Sequence, residues 1–199
     1  CVNIMLVGLA AIAYLNNDFL VMKLCLWGIG ATLGFMLLNF PFGRIFLGDG
    51  GAYLAGFWLA ECGVLLLNRN PDISTWAVLL VCIYPVWETV FSMYRRHVIH
   101  KVKSGAPDMT HLHHLLFKSI NWGRSQNKSW ARHGWVSLKI WLFVATCQVT
   151  AILFHRHDLY LFWSTLAFAT IYTATYARHA KPARHLNSEL GELTPYNNP

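Results

Sequence analysis

Three histidines stand within four positions of one another in residues 105–120, GAPDMTHLHHLLFKSI. If the stretch forms a short helix, His111 and His114 share one face because they are three residues apart, whereas His113 points elsewhere. Imidazoles beside basic residues suit an anionic substrate, as hydrogen-bond donors or as proton-transfer groups. The three histidines are therefore candidate catalytic residues.

The same stretch also has structural interpretations. Pro107 and Asp108 are typical of a helix start, with Asp108 or Thr110 as the N-cap, and Asn121 and Gly123 are typical of a stop. Such a helix could simply lie on a membrane surface. A zinc site is a further alternative, but no cysteine, glutamate or additional histidine accompanies the cluster at ligand spacing. Three imidazoles so close together favour a functional role.

Acidic side chains form a second group of candidates. Asp49 lies between glycines in residues 46–57, FLGDGGAYLAGF, just before an apolar run. A carboxylate there can hold Mg²⁺ together with phosphate oxygens, or it can merely cap the helix, and the spacing alone favours the cap. Glu61 and Glu88 lie inside apolar runs, where a carboxylate is costly. We interpret Glu61 as a packing residue and Glu88 as a functional one.

The composition indicates a membrane protein. Of the 199 residues, 55% are hydrophobic and 13% are charged, and the mean hydropathy is +0.38. A soluble domain of this length would need more polar surface. Nine tryptophans and eight tyrosines fit aromatic belts at the membrane interface. The five cysteines are scattered singly through apolar runs, which favours buried thiols over disulfides or a metal site.

Apolar runs of suitable length predict an all-α, polytopic membrane protein with about six transmembrane helices. The runs are 2–16, 19–40, 52–68, 76–93, 135–154 and 159–176. They predict a membrane domain over 1–177, with loops at 41–51 and 94–134 on one side and a polar, disordered tail at 178–199.

The cationic residues divide unequally between the two sides of these predicted spans. Near one side lie only Lys23, Arg69 and Arg156. On the side of the histidine cluster lie Arg44, Arg95, Arg96, Lys101, Lys103, Lys118, Arg124, Lys128, Arg132, Arg178, Lys181 and Arg184. Since an excess of lysine and arginine marks the cytoplasmic face, the cluster is predicted to be cytoplasmic. This placement also argues against nucleic acid as the partner, despite the net charge of +7.

Three motifs, taken in order, resemble those of the polyprenyl-phosphate N-acetylhexosamine-1-phosphate transferases of bacterial cell envelopes (glycosyltransferase family 4). FLGDGGAYLAGF is similar to that family's FxGDxGSxxxGF loop, and YPVWETVFSMYRR resembles its helix with a proline, an acid and Tyr-Arg-Arg. APDMTHLHHLL is similar to its PDxxHxHHxL motif. The resemblance extends over nearly the whole chain, to about residue 177.

The resemblance implies that undecaprenyl phosphate attacks the β-phosphorus of a UDP-N-acetylhexosamine on the cytoplasmic face of the bacterial inner membrane, releasing UMP. The implied site residues are Asp49 as a ligand of Mg²⁺ or Mn²⁺, His111, His113, His114 and Glu88 as catalytic residues, and Arg95, Arg96 and Asp108 as substrate-binding residues. The ending HLHHLL is more similar to the N-acetylglucosamine or N-acetylfucosamine branch than to the peptidoglycan branch, which implies a lipopolysaccharide O-antigen or another surface glycan. The expected partners are both substrates, the bilayer and, as one option, a second copy in a homodimer.

The chain departs from the family pattern in three respects. Ala52 stands where serine is usual, and Glu88 stands where aspartate is usual. The family's acidic DDxxD and NxxNxxDGxDG motifs would lie before Cys1, so we expect the sequence to be the C-terminal part of a longer enzyme and to be inactive alone. The alternatives are a transporter fragment, with Glu61 and Glu88 lining a pathway, and a degenerate scaffold subunit.

Overall fold

The computed structural model describes residues 1–40, 44–100, 111–113, 115–116 and 129–189, and every element in this part of the chain is helical. The elements are α1 (Val2–Leu15), α2 (Phe19–Asn39), α3 (Gly48–Arg69), α4 (Thr75–Val81), α5 (Ile83–Tyr94), α6 (Ser129–Phe154) and α7 (Asp158–Glu189). A π-helical segment, Arg95–His100, continues α5. The all-α prediction is confirmed.

Three helices are long and apolar enough to cross a membrane, namely α2, α3 and the Trp135–Phe154 part of α6. The pair of α4 and α5 makes a fourth if the two are taken as one broken span, and α1 is apolar but shorter. Each of the six apolar runs is helical over nearly its whole length, although the run 76–93 is divided between two helices at Cys82. The count of six spans stays a prediction.

The structure gives helical limits within three segments that were predicted as a tail or as connecting loops. The tail predicted to be disordered from residue 178 continues α7 as far as Glu189, because its alanine, arginine and leucine residues favour helix. The loop predicted at 94–134 is helical at both ends, over Arg95–His100 and again from Ser129. The loop at 41–51 ends earlier than predicted, since α3 begins at Gly48.

The chain forms two compact units, of which the first comprises 1–85 and 138–168 and the second comprises 86–137 and 169–199. In the first unit, α1 contacts α2, α3 and α4. The α1 side chains Met5, Leu9 and Ile12 are fully buried, because they recur at helical spacing on the face of α1 that packs against these helices.

A proline breaks the helix between α4 and α5 in the first unit. Pro85 has no N–H, so the carbonyl of Val81 lacks the partner that a continuous helix would provide. Gln148 of α6, which is buried, donates from Nε2 to the Val81 carbonyl at 3.1 Å. Gly8 of α1 leaves room for this amide, since a Cβ at Gly8 would lie 2.1 Å from Gln148 Oε1.

Asp18 joins the start of α2 to the end of α3. Its Oδ1 accepts the Val21 N–H at 3.3 Å, while its Oδ2 accepts Arg69 Nε at 2.8 Å and Asn70 Nδ2 at 3.0 Å. Burial alone would raise the pKa of this carboxyl, but the hydrogen bonds from Arg69, Asn70 and Val21 outweigh burial and hold the pKa below its usual value. The lowered pKa means that the folded state favours the ionised carboxylate.

Replacing Asp18 by asparagine is expected to lower the free energy of unfolding by about 1–2 kcal/mol at neutral pH, because the charged acceptor for Arg69 is lost. Folding lowers the pKa of this carboxyl below the value of about 4 that it has in the unfolded chain. The carboxylate therefore stabilises the folded state fully at pH values above about 4, and this contribution is lost as the pH falls through the pKa of the folded state. Thermal unfolding in detergent from neutral to acidic pH should therefore show a larger gap between wild type and Asp18→Asn at neutral pH. Asp72→Asn, at an exposed acid, is the control; a gap that does not change with pH would contradict the prediction.

Candidate functional site

One face of α5 is fixed against α7 within the second unit. Trp87, Phe91 and Arg95 recur every four residues and so share this face. Trp87 Nε1 donates to Thr173 Oγ1 at 3.1 Å, and the Phe91 ring lies edge-on to the Tyr176 ring with centroids 4.9 Å apart. Arg95 donates from Nη1 to the Tyr176 hydroxyl, and its guanidinium carbon lies 5.3 Å from that ring's centroid. These contacts set the rotation of α5 and thereby the direction of its neighbouring face.

Glu88 lies on α5 beside this packed face and contacts the histidine stretch. Its Oε1 lies 3.1 Å from His111 Nδ1 and accepts the backbone N–H of Leu112 at 3.2 Å. The Glu88 side chain is 15% exposed and that of His111 is 32% exposed. The other carboxylate oxygen, Oε2, is buried and has no hydrogen-bond partner in the described part of the chain. A carboxylate predicted to be functional is thus joined to one of the predicted histidines.

Buried leucines anchor the histidine stretch. Leu112, Leu115 and Leu116 are each at most 6% exposed, and their spacing of three and four residues places them on one face of a helical turn. The Leu115 N–H donates to the His111 carbonyl at 3.1 Å, which closes this turn. The alternation of leucine and histidine in HLHHLL therefore buries the leucines and leaves His113 exposed.

His111 and His113 lie side by side. Their rings are parallel within 5° and their centroids are 5.8 Å apart. The prediction that His113 points away from His111 was wrong, because His111 precedes the helical turn, so helical spacing does not relate the two residues. His114 and Asp108 lie outside the described residues.

The two arginines predicted to bind substrate differ in burial. Arg95 is 4% exposed and contacts the ring and hydroxyl of Tyr176, which is typical of helix packing by an arginine. Arg96 is only partly buried. Substrate binding by either residue stays a prediction.

Asp49 belongs to the first unit, where it lies exposed in the first turn of α3. The helix begins at Gly48, whose φ of +68° favours glycine, and a Cβ at Gly51 would lie 2.7 Å from the Leu47 side chain. Asp49 is therefore not the N-cap of the alternative interpretation. It makes no hydrogen bond or ion pair with the residues that the structure describes.

The chemistry of the Asp49 carboxylate fits a magnesium ligand. Mg²⁺ is usually held by one or two carboxylates, with substrate phosphates and water completing the octahedron. No group of three or more potential ligands that could hold a metal ion occurs among the described residues. Asp49 could thus supply one bond to a Mg²⁺ whose other ligands come from substrate and water.

The contact between Glu88 and His111 was not predicted, although both residues were. They are 23 residues apart, and no periodicity relates them. The sequence did place both residues on the same predicted side of the membrane. Glu88 follows Pro85 near the basic end of its predicted span, and the histidines lie in the loop that follows this end.

Comparison with known proteins gives the family. Residues 1–67 match the model of glycosyl transferase family 4. The probable undecaprenyl-phosphate N-acetylglucosaminyl 1-phosphate transferase of Bacillus subtilis is 31% identical over 114 residues, which are 55% of this chain and 32% of that protein. A Thermotoga maritima protein, the undecaprenyl-phosphate alpha-N-acetylglucosaminyl 1-phosphate transferase, is 33% identical over 90 residues, 45% of this chain and 29% of that protein.

The phospho-N-acetylmuramoyl-pentapeptide-transferase of Lactococcus lactis subsp. cremoris (strain MG1363) is 30% identical over 155 residues, which are 76% of this chain and 44% of that protein. No solved structure matches the chain. The chain spans less than half the length of these relatives. From its family match and its relatives, the chain belongs to glycosyl transferase family 4.

Proposed function

We propose that the complete protein transfers N-acetylhexosamine-1-phosphate from a UDP-sugar to undecaprenyl phosphate and releases UMP. Two relatives whose names specify undecaprenyl-phosphate N-acetylglucosaminyl 1-phosphate transferases support this reaction class. The observation that carries the proposal is the pair of imidazoles, His111 and His113, of which His111 contacts the partly buried carboxylate of Glu88. Such a pair suits work on phosphate oxygens.

In the proposed reaction, a phosphate oxygen of the lipid attacks the β-phosphorus of the sugar nucleotide. The bond from that phosphorus to the oxygen bridging the two phosphates breaks, and UMP leaves with the bridging oxygen. A phosphate monoester is largely ionised at neutral pH, since its second pKa is about 6, so the attacking oxygen needs little help to lose a proton. When protonated, the imidazoles would instead donate hydrogen bonds to the crowded phosphate oxygens and give a proton to the departing group, after which each ring is neutral and its free nitrogen can accept a proton again.

A magnesium ion, or manganese in its place, would neutralise part of the diphosphate charge in this reaction. Among the residues that the structure describes, Asp49 is the proposed ligand of this ion. Its carboxylate is exposed and makes no hydrogen bond or ion pair with the described part of the chain. The backbone on both sides of this carboxylate favours glycine, because Gly48 has a positive φ and a Cβ at Gly51 would approach the Leu47 side chain.

The proposal also gives the location of the protein and of its site in the cell. The protein would be a multi-pass protein of the bacterial inner membrane with about six spans, and its site would face the cytoplasm, where lysine and arginine accumulate. The product would start a lipid-linked surface glycan of the O-antigen type. The transporter alternative gains no support from Glu88, because its contacts with His111 and the Leu112 N–H fit imidazole chemistry better than an ion pathway.

The test is release of UMP from UDP-N-acetylglucosamine by the complete protein in nanodiscs containing undecaprenyl phosphate, with and without Mg²⁺. UDP-N-acetylgalactosamine and other UDP-N-acetylhexosamines run in parallel to identify the sugar. Metal-dependent UMP release that needs the lipid phosphate would support the proposal. A folded protein that releases no UMP from any of these donors would overturn it in favour of a scaffold or a transporter, and solute uptake into liposomes would then separate those two.

A further inference from the structure

We propose that Glu88 is a positioning residue, which holds neutral His111 as the Nδ1–H tautomer and so makes Nε2 the nitrogen that accepts protons. The sequence interpretation placed Glu88 among the catalytic residues. The structure joins it instead to a histidine and to the backbone that carries the histidine cluster. The inference rests on the proposed function for the reaction that His111 serves.

The location of the shared proton follows from the hydrogen bonds of Glu88 Oε1. That oxygen accepts the Leu112 N–H at 3.2 Å, and it lies 3.1 Å from His111 Nδ1. An ionised carboxylate has only lone pairs to offer, so a hydrogen bond to Nδ1 requires the proton to be on the imidazole. In the neutral ring, a proton on Nδ1 leaves Nε2 as the acceptor.

Glu88 Oε1 also fixes the position of the His111 ring. Leu112 is the first residue of the helical turn, and with Leu115 and Leu116 it is buried. By accepting the Leu112 N–H, Glu88 ties the backbone next to His111 to α5, while its contact with Nδ1 sets the orientation of the ring. One carboxylate oxygen thus controls both the attachment and the tautomer of His111.

Glu88 can hold His111 in place because packing contacts hold α5 against α7. The neighbouring residue Trp87 bonds to Thr173, and Phe91, one turn further on, packs against Tyr172 and Tyr176. A shift of α5 as a whole toward or away from His111 would require these contacts on α7 to break.

The test uses two substitutions of similar length. Glu88→Met removes the acceptor, whereas Glu88→Gln keeps a carbonyl oxygen that can accept both the Nδ1–H and the Leu112 N–H. The opposite amide orientation would point an N–H group at the Leu112 N–H, so the glutamine is held with its oxygen toward His111. Met93→Leu, at an exposed residue of α5, is the matched control.

The readout independent of turnover is which imidazole nitrogen carries the proton, measured by solid-state NMR on the complete protein labelled with ¹⁵N-histidine at about pH 8, above the ordinary pKa of a histidine side chain. The His111 signals are identified by their loss from the spectrum of His111→Gln. We expect the Nδ1–H form in wild type, Met93→Leu and Glu88→Gln, and a loss of its dominance in Glu88→Met.

UMP release is measured on the same samples. Glu88→Met should lower kcat by about 10²–10⁴-fold with a smaller change in KM. Glu88→Gln keeps the acceptor but lacks the charge that stabilises a protonated imidazole, so it should restore only part of the lost kcat. An Nε2–H form in wild type, an unchanged tautomer in Glu88→Met, or a failure of Glu88→Gln to restore the tautomer would each overturn the inference. If wild type releases no UMP, the proposed function fails, while the NMR result still decides the role of Glu88.

Discussion

Substitution of His111 by glutamine is expected to lower kcat for UMP release by about 10²–10⁴-fold, the range typical of a lost proton-transfer group. Glutamine can still donate one hydrogen bond, but it cannot gain or lose a proton near neutral pH. The protein should remain folded, because the buried side chains among the described residues of this stretch are Leu112, Leu115 and Leu116, and none of them is changed.

The control for this substitution is His157→Gln, at an exposed histidine in the turn before α7. This variant should match wild type in both kcat and KM, which separates a general effect of losing a histidine from a local one. Steady-state UMP release with saturating lipid phosphate gives both constants. A His111→Gln protein that retains activity within a factor of two would show that the imidazole pair is not at the reacting phosphates.

Replacing Asp49 by asparagine is expected to reduce UMP release by about 100-fold or more at ordinary Mg²⁺ concentrations and to raise the Mg²⁺ concentration needed for half-maximal rate. An amide oxygen has no negative charge to attract the ion. Because Asp49 is exposed and has no hydrogen-bond or ion-pair partner in the described residues, the melting temperature should not change.

Mg²⁺ titrations of UMP release, compared for wild type, Asp49→Asn and the exposed-acid control Asp72→Asn, test this expectation. Only Asp49→Asn should shift the titration. An unshifted curve with an unchanged rate would remove Asp49 from the metal site and leave the aspartate as a residue of the first turn of α3. A lowered melting temperature would show instead that the carboxylate has a structural role.

The sequence predicted the helical elements well because apolar length alone is informative in a membrane protein. Each of the six apolar runs is helical over nearly its whole length. The break at Cys82 was not predicted, although Pro85 was visible in the sequence, and neither was the partner of the Val81 carbonyl that this proline frees. That partner is Gln148, far along the chain.

The candidate site was predicted as residue types and not as contacts. Spacing along a single element cannot relate Glu88 to His111, since a long connection separates them. The direction of His113 was wrong because the prediction began the helix near Asp108, whereas His111 stands in a bend before its turn. Arg95 was predicted to bind substrate, which stays a prediction. Its burial was not predicted, because an arginine can bury its stem and place its guanidinium against an aromatic ring such as that of Tyr176.

The hydrogen bond from Gln148 to Val81 bears on how the protein is made. During synthesis, α4 and α5 leave the ribosome before α6, so the Val81 carbonyl reaches the bilayer before the side chain that satisfies it. An unsatisfied carbonyl in lipid costs several kcal/mol. If α4 and α5 form one broken span, that span is incomplete until α6 arrives. We infer that Gln148 then acts at a step of membrane insertion, which an assay of the finished protein does not sample.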